Sequence, residues 1–420
     1  MLEQALKTFS KKVLHGRTFF CFNTSFTRQL QLMKKNKNLW VLVFICVINS
    51  LGFGIIVPLI YPYGKQFGIT EQTLGLLTAS FSIAQFFATP VLGSLSDKYG
   101  RKPLLIISLI GTCISFILFA EARSLIMLFA ARILDGITGG NISVAQAMVS
   151  DSSSNEDRAK NFGIIGSAFG FGFVIGPAIG GILSKISLQA PFYFSAGIAL
   201  IGVCCIYFFL QETNPKHERK NDNKFSFKSL ITVLKAPVIG SAVFIGFLLT
   251  MAQFTMIIGF QTFTADVLKI TPFQIGVFFA GFGISGILMQ LAVPYITKLI
   301  SSKSLILLLS LIFCFLPMLL SGFTNKLILF AVCMCVYGLF NGLRNPMLNA
   351  IISERVGQNE QGQTLGINQS YASIGQILGP ISAGLISGIS VHYVFFLSAV
   401  YILAGFLFTF LLRSKEKINT

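Results

Sequence analysis

Apolar runs of about twenty residues recur along the chain, separated by short polar stretches, and the pattern starts only after a basic opening segment. A helix rising 1.5 Å per residue needs ~20 apolar residues to cross ~30 Å of hydrocarbon. Twelve segments meet that requirement: roughly 39–62, 73–96, 103–121, 125–149, 161–184, 191–210, 237–261, 273–297, 304–322, 326–350, 362–387 and 393–412. None has the strict alternation of a membrane barrel strand, so each span is expected to close its own backbone hydrogen bonds as a helix. The fold class predicted is an all-α membrane protein with twelve transmembrane helices.

Composition agrees. The chain is 54% hydrophobic and 11% charged, against roughly a quarter charged in soluble domains. A net charge of +17 raises the question of nucleic acid, but the distribution points elsewhere. Of the 32 Lys and Arg, 25 precede the first span, follow the even-numbered spans or end the chain. Lys65, Arg123, Lys185, Lys269 and Lys326 fall in the opposite loops, and Arg132 and Arg344 lie within spans. This is the positive-inside asymmetry: both termini are expected in the cytoplasm, in an inner membrane, with no nucleic-acid partner. The eight Cys have neither a disulfide framework nor metal-ligand spacing, and packing is their expected role. Residues 1–37 contain Lys7, Lys11, Lys12 and Arg17 with Phe19, Phe20 and Phe22, a basic amphipathic stretch suited to anionic lipid. They contain no signal-peptide core, and Met33 is an alternative start.

The polar stretch 211–236 separates six spans from six. A shift of 203 residues lays Gly139 on Gly342, Asp151 on Glu354, Gly163 on Gly366, Gly172 on Gly375, and Gly176–Pro177 on Gly379–Pro380. Shared hydrophobicity alone does not align glycines, a proline and loop acids together. The organisation expected is a tail (1–37), a first six-helix half (38–210), a central loop (211–236), a second half (237–412) and a short tail (413–420). Two pseudo-symmetric halves in one orientation suit rocking about a site near the midplane.

The loop after the second span contains Gly93, Asp97, Gly100, Arg101 and Lys102 in the order G-x-x-x-D-K-x-G-R-K. It resembles the signature of the major facilitator superfamily, with every fixed position filled. A tight turn at Gly100 would present Asp97 and Arg101 at the membrane rim, where an Arg can fork onto carboxylates; Asp151 is a candidate partner. The resemblance implies that this cluster latches the two halves when the site faces outward. Because the matching loop 296–303 is degenerate, a one-sided latch is expected.

Span five holds Gly166, Gly170, Gly176, Pro177, Gly180 and Gly181. It is similar to the antiporter signature of the drug–proton exporters. Small residues let helices approach closely and Pro177 adds a bend, so pure packing is the competing explanation. In span four, Arg132 and Asp135 are three residues apart, share a helix face and can pair in low dielectric. Ions inside a membrane are functional candidates by default; the family resemblance ties such an Arg to proton coupling, and Asp135 is the candidate proton carrier. A structural ion pair is the alternative.

The chain most resembles the tetracycline and multidrug branch of twelve-span exporters. Where relatives in that branch often carry an acid in span one, Asn49 stands here, which weakens a cationic-drug prediction. In span ten, Arg344 and Asn345 could serve an anionic or zwitterionic compound, or anchor to carbonyls. The remaining cavity candidates are Gln85, Asn141, Gln146, Gln253, Gln290, Asn368 and Gln376. No nucleotide-binding loop or enzyme motif occurs. The function expected is proton-driven efflux of a small amphipathic compound by alternating access, with no cofactor beyond the proton gradient and a monomeric carrier in the bilayer. Uptake or export of an anionic or zwitterionic metabolite or siderophore-like compound is the alternative.

Overall fold

Among the described residues, twelve long rods are built from fourteen helices, because two rods are each broken once. The computed structural model describes residues 37–153, 155–214, 238–355 and 361–418. The basic tail up to residue 36 and most of the central loop lie outside the described residues. The first half comprises α1 (Lys37–Gly64), α2 (Glu71–Tyr99), α3 (Arg101–Ala120), α4 (Leu125–Gly139), α5 (Asn141–Ser152), α6 (Asn155–Leu183) and α7 (Ala190–Phe209). The second comprises α8 (Ile239–Thr262), α9 (Pro272–Leu299), α10 (Lys303–Ser321), α11 (Leu327–Asn341), α12 (Arg344–Arg355), α13 (Gln361–Ser387) and α14 (Val391–Ile418). Side chains satisfy several exposed helix starts: Thr70, Ser124 and Ser302 accept from the third residue inward, and Thr271 forms a reciprocal capping box with Gln274.

Spans four and ten were expected as continuous helices, and both are interrupted. The break lies at Gly140 between α4 and α5, and at Gly342 between α11 and α12. At each break a neighbouring backbone comes close. A Cβ on Gly140 would lie 3.1 Å from the backbone of Thr89 in α2, and one on Gly342 would lie 2.3 Å from the Gly286 carbonyl in α9. Eleven of the twelve rods are long and apolar enough to cross a membrane. The twelfth, α13, spans 27 residues but carries Asn368, Gln369 and Gln376, which lower its hydropathy.

Packing repeats between the halves. Helix α1 lies along α6 as α8 lies along α13; α3 meets α7 as α10 meets α14; α2 meets α4 as α9 meets α11. The halves are joined by two equivalent crossings, α2 on α13 and α9 on α6. Helix α8 is the most enclosed rod, 83% buried in its most apolar stretch, whereas the corresponding stretch of α9 is 28% buried. Apolar side chains such as Phe208, Leu291, Tyr295 and Ile328 point outward, as a surface in contact with lipid tails requires. Since lipid is as apolar as Leu, helices here are held by close van der Waals fit, and small residues supply it.

Candidate functional site

The helices alternate in direction, so the α2–α3 loop and the chain ends share one end of the bundle, here the terminal end. The opposite, distal end is closed. There a Cβ on Gly75 (α2) would sit 2.3 Å from the Pro380 carbonyl of α13, and one on Gly276 (α9) would sit 2.4 Å from the Pro177 carbonyl of α6. Lys65 pairs with Asp266 across the halves, and the Tyr61 hydroxyl donates to the same carboxylate. Toward the terminal end the halves part: among the described residues, nothing outside the helix's own backbone lies within 4 Å of where a Cβ would stand on Gly163, Gly166, Gly170 or Gly366.

Between the halves lies a cavity of about 600 Å³. Its wall is rich in carboxamides, phenylalanines and glycines. Asn49, Gln85, Gln253, Gln290, Asn345, Asn368 and Gln376 all line it, joined by Asn341, Asn349 and Gln369. Asn141 lies just behind this wall, fully buried, accepting from Asn49 at 3.1 Å. Gln146 is exposed on α5 and lies outside the cavity lining. In the cavity lining Phe53 has its ring centroid 5.9 Å from those of Phe81 and Phe173 and 6.4 Å from that of Phe254. These rings come from both halves and form an apolar floor, in spacings aromatic pairs favour.

Two charged residues line the cavity among the described residues, Asp135 and Arg344. Asp135 is 8% exposed and Arg132 is 2% exposed, and their nearest N–O distance is 3.4 Å. The Arg132 guanidinium lies 4.4 Å from the centroid of Phe81, and its Nε has no partner. Helix α4 aligns the two along one face, and Gly136 brings that face against α2: a Cβ there would be 2.4 Å from the Phe81 carbonyl. Gln85 donates to the Gly139 carbonyl at 3.1 Å and secures the same crossing. The pair is therefore long, buried and open to the cavity on the carboxylate's side. A proton arriving at Asp135 would neutralise it and leave Arg132 without its counter-ion.

The rim motif is ordered as its residue types suggest. Gly100 has φ 107°, a conformation costly for any side-chain-bearing residue. It turns the chain from α2 into α3, so that Arg101 lies 2.6 Å from Asp97 and 3.3 Å from Asp151. Lys102 donates its ammonium to the Tyr207 carbonyl at 2.9 Å. Gly93 is uncrowded, its nearest neighbour being the Ser143 hydroxyl. Sequence reading missed Glu212: its carboxylate accepts from the backbone N–H groups of both Arg101 and Lys102 at 3.0 Å, capping α3 from beyond α7. Thr213 donates to Asp151, and Asn214 to the Asp97 carbonyl. An acid directly after the sixth apolar run was the signal available. In the second half Lys303 pairs with Glu354 where the first has Arg101 with Asp151, a reduced version of the same rim contact.

The span-five glycines divide their work. Gly166 and Gly170 face the cavity. Gly172, Gly176 and Gly180 fit against Ser50, Leu51, Gly54 and Ile55 of α1, while Gly181 and Pro177 meet Gly276 of the other half.

Twelve rods in two similar halves, parted at one end around a polar cavity and closed at the other, define a secondary transporter of the alternating-access kind. The chain belongs to the major facilitator superfamily, whose family model matches residues 42–366 and 243–420. It is 28% identical over 398 residues to multidrug resistance protein 2 of Bacillus subtilis, covering 91% of this chain and 98% of that protein. It is 30% identical over 358 residues to the class E tetracycline resistance protein of Escherichia coli, covering 82% and 87% respectively. Among solved structures, a bacterial homolog of the human lysosomal transporter Spinster, inward-facing and occupied, superposes with a TM-score of 0.74 at 14% identity, covering 91% of this chain and 97% of that one.

Proposed function

We propose that this transporter exports a small amphipathic compound in exchange for protons. The observation that carries this reading is the buried Arg132–Asp135 pair, whose carboxylate lines a cavity rich in amides and aromatic rings. Cargo and proton would compete for Asp135: protonation weakens its hold on Arg132, and cargo binding favours the ionised pair. The multidrug and tetracycline resistance proteins to which the chain is similar support efflux as the direction. The Lys/Arg asymmetry supports cytoplasmic termini in the inner membrane, which makes the terminal end the cytoplasmic one and this conformation inward-facing. In that orientation the cavity loads from the cytoplasm. The segments 38–210 and 237–412 then rock about the Phe53 floor, the rim cluster around Arg101 closing on the second half when the cavity faces outward. The carrier works as a monomer, drawing on the proton gradient alone.

The test is transport in oriented proteoliposomes with an imposed pH gradient. Internal pH is followed while amphipathic cations, zwitterions and organic acids are added. Substrate-dependent proton movement is expected; compounds that cross without any accompanying proton flux would refute antiport.

A further inference from the structure

Arg344 is the second charge in the cavity wall, and it is held differently from the first. It is 7% exposed. Its Nη1 donates to the Leu249 carbonyl at 2.8 Å, its Nη2 to the Gln253 side-chain oxygen at 2.6 Å, and its Nε to the Asn345 side-chain oxygen at 3.3 Å. All three acceptors are neutral. Among the described residues no carboxylate pairs with it, and Asp135, the one acid in the wall, is engaged by Arg132. An Arg buried without a counter-ion is costly. Three hydrogen bonds fix the plane of its guanidinium and leave two of its five N–H donors, one on each terminal nitrogen. A carboxylate, with two oxygens in one plane, is the group that matches such a pair of donors.

With Arg132 and Asp135 compensating each other, the cavity carries one uncompensated positive charge. The side-chain oxygen of Asn368, buried in the same wall, lacks a partner and would accept from a donor on the bound compound. The rings of Phe53, Phe173 and Phe254 offer an apolar surface contributed by both halves.

We propose that Arg344 is a cargo-binding residue that selects compounds bearing one carboxylate or sulfonate, with an aromatic or otherwise apolar body resting on the Phe53 floor. This rests on the reading of the cavity as the cargo site but not on proton coupling. A channel wall of neutral amides lets the anion slide without trapping it, and the one fixed cation gives it a place to stop. A compound with a permanent positive charge and no acid meets only repulsion from Arg344.

The decisive experiment is equilibrium binding to the purified full-length transporter in nanodiscs, without any gradient. The probes are three naphthalene derivatives of matched size: the carboxylate, its methyl ester and the trimethylammonium analogue. The carboxylate is expected to bind at least about tenfold more tightly than the ester, a difference of one good charge-assisted contact. Arg344→Gln is expected to erase that difference, and Arg344→Lys to retain part of it. Ammonium binding tighter than carboxylate binding in the unaltered protein overturns the proposal, whatever the variants do. So does failure of the carboxylate to bind up to millimolar concentration, or an Arg344→Gln protein, folded by its thermal transition, that keeps the preference. Carboxylate binding through Arg344 with no proton movement in proteoliposomes would sink the exchange mechanism and leave this assignment standing.

Discussion

In the first half, the Ser50 hydroxyl of α1 donates to the Cys46 carbonyl and the residue sits against Gly172 of α6; in the second, Thr250 of α8 donates to the Gly246 carbonyl and sits against Gly375 of α13. The scaffolds match residue for residue at that contact, and the charges do not. Helix α4 carries Arg132 and Asp135, whereas the positions 203 residues later are Cys335 and Gly338. Asn141, joined to Asn49 by a side-chain hydrogen bond, corresponds to Arg344, which reaches α8 at Leu249 and Gln253. Duplication thus preserved what holds the helices together and left the cavity side chains free to diverge. Close packing in a membrane needs small residues in register, so it constrains both halves equally. Chemistry needs a charge once. The first half holds a compensated pair suited to exchanging a proton, and the second holds a lone cation suited to receiving a charged group.

The sharpest way to break this division is to neutralise the first half. Asp135→Asn is expected to reduce proton-coupled transport to the level of protein-free liposomes, while Asp135→Glu keeps it. The single variant also leaves Arg132 buried and unpaired, costing about 3–5 kcal/mol of stability. Adding Arg132→Gln removes that charge, so the double variant should recover most of the thermal stability without recovering coupling. Coupled transport in the folded double variant would remove the proton role from α4 altogether.

A comparable effect on conformation is expected at the distal crossings. Gly75→Val and Gly276→Val each drive a side chain into a carbonyl of the opposite half, at Pro380 and Pro177. Overpacking of this kind costs about 1–3 kcal/mol, which here falls on the conformation closed at the distal end. Both variants should therefore raise labelling of single Cys reporters placed at that end, and to similar extents, because the crossings are equivalent. A large effect from one glycine and none from the other would mean that the symmetry of packing does not extend to the gate.

How much of this was readable in the sequence follows the same division. The spans, the duplication and the rim turn were legible, because bilayer thickness, register and a positive φ each demand particular residues at particular spacings. Gly100 and the Asp97–Arg101 pair are local, and their geometry follows from five consecutive residues. The breaks at Gly140 and Gly342 were not legible: a glycine in an apolar run marks a close approach without saying whether the helix survives it. Asp266 and Lys65 are 201 residues apart, and only the folding of one half onto the other makes them partners. Glu212 was hidden for the same reason. Asn141 and Gln146 looked alike as polar residues in one span, yet α5 turns the first behind the cavity wall and leaves the second outside the lining.

A smaller effect tests the charged contact at the distal end. Lys65 is partly exposed, so its pair with Asp266 is screened, and such pairs contribute about 0–1 kcal/mol. Asp266→Asn keeps the side chain's size and still accepts from Tyr61, so the predicted change is at most a few-fold rise in labelling at the distal end. Lys65→Ala should act in the same direction and by no more. Each should fall well short of Gly75→Val, and raising the salt concentration should shrink the difference between Asp266→Asn and the unaltered protein. If instead Asp266→Asn opened the distal end as widely as the glycine variants, closure would depend on the ion pair rather than on the matched glycine crossings. The two halves would then be joined by the feature that is not repeated between them.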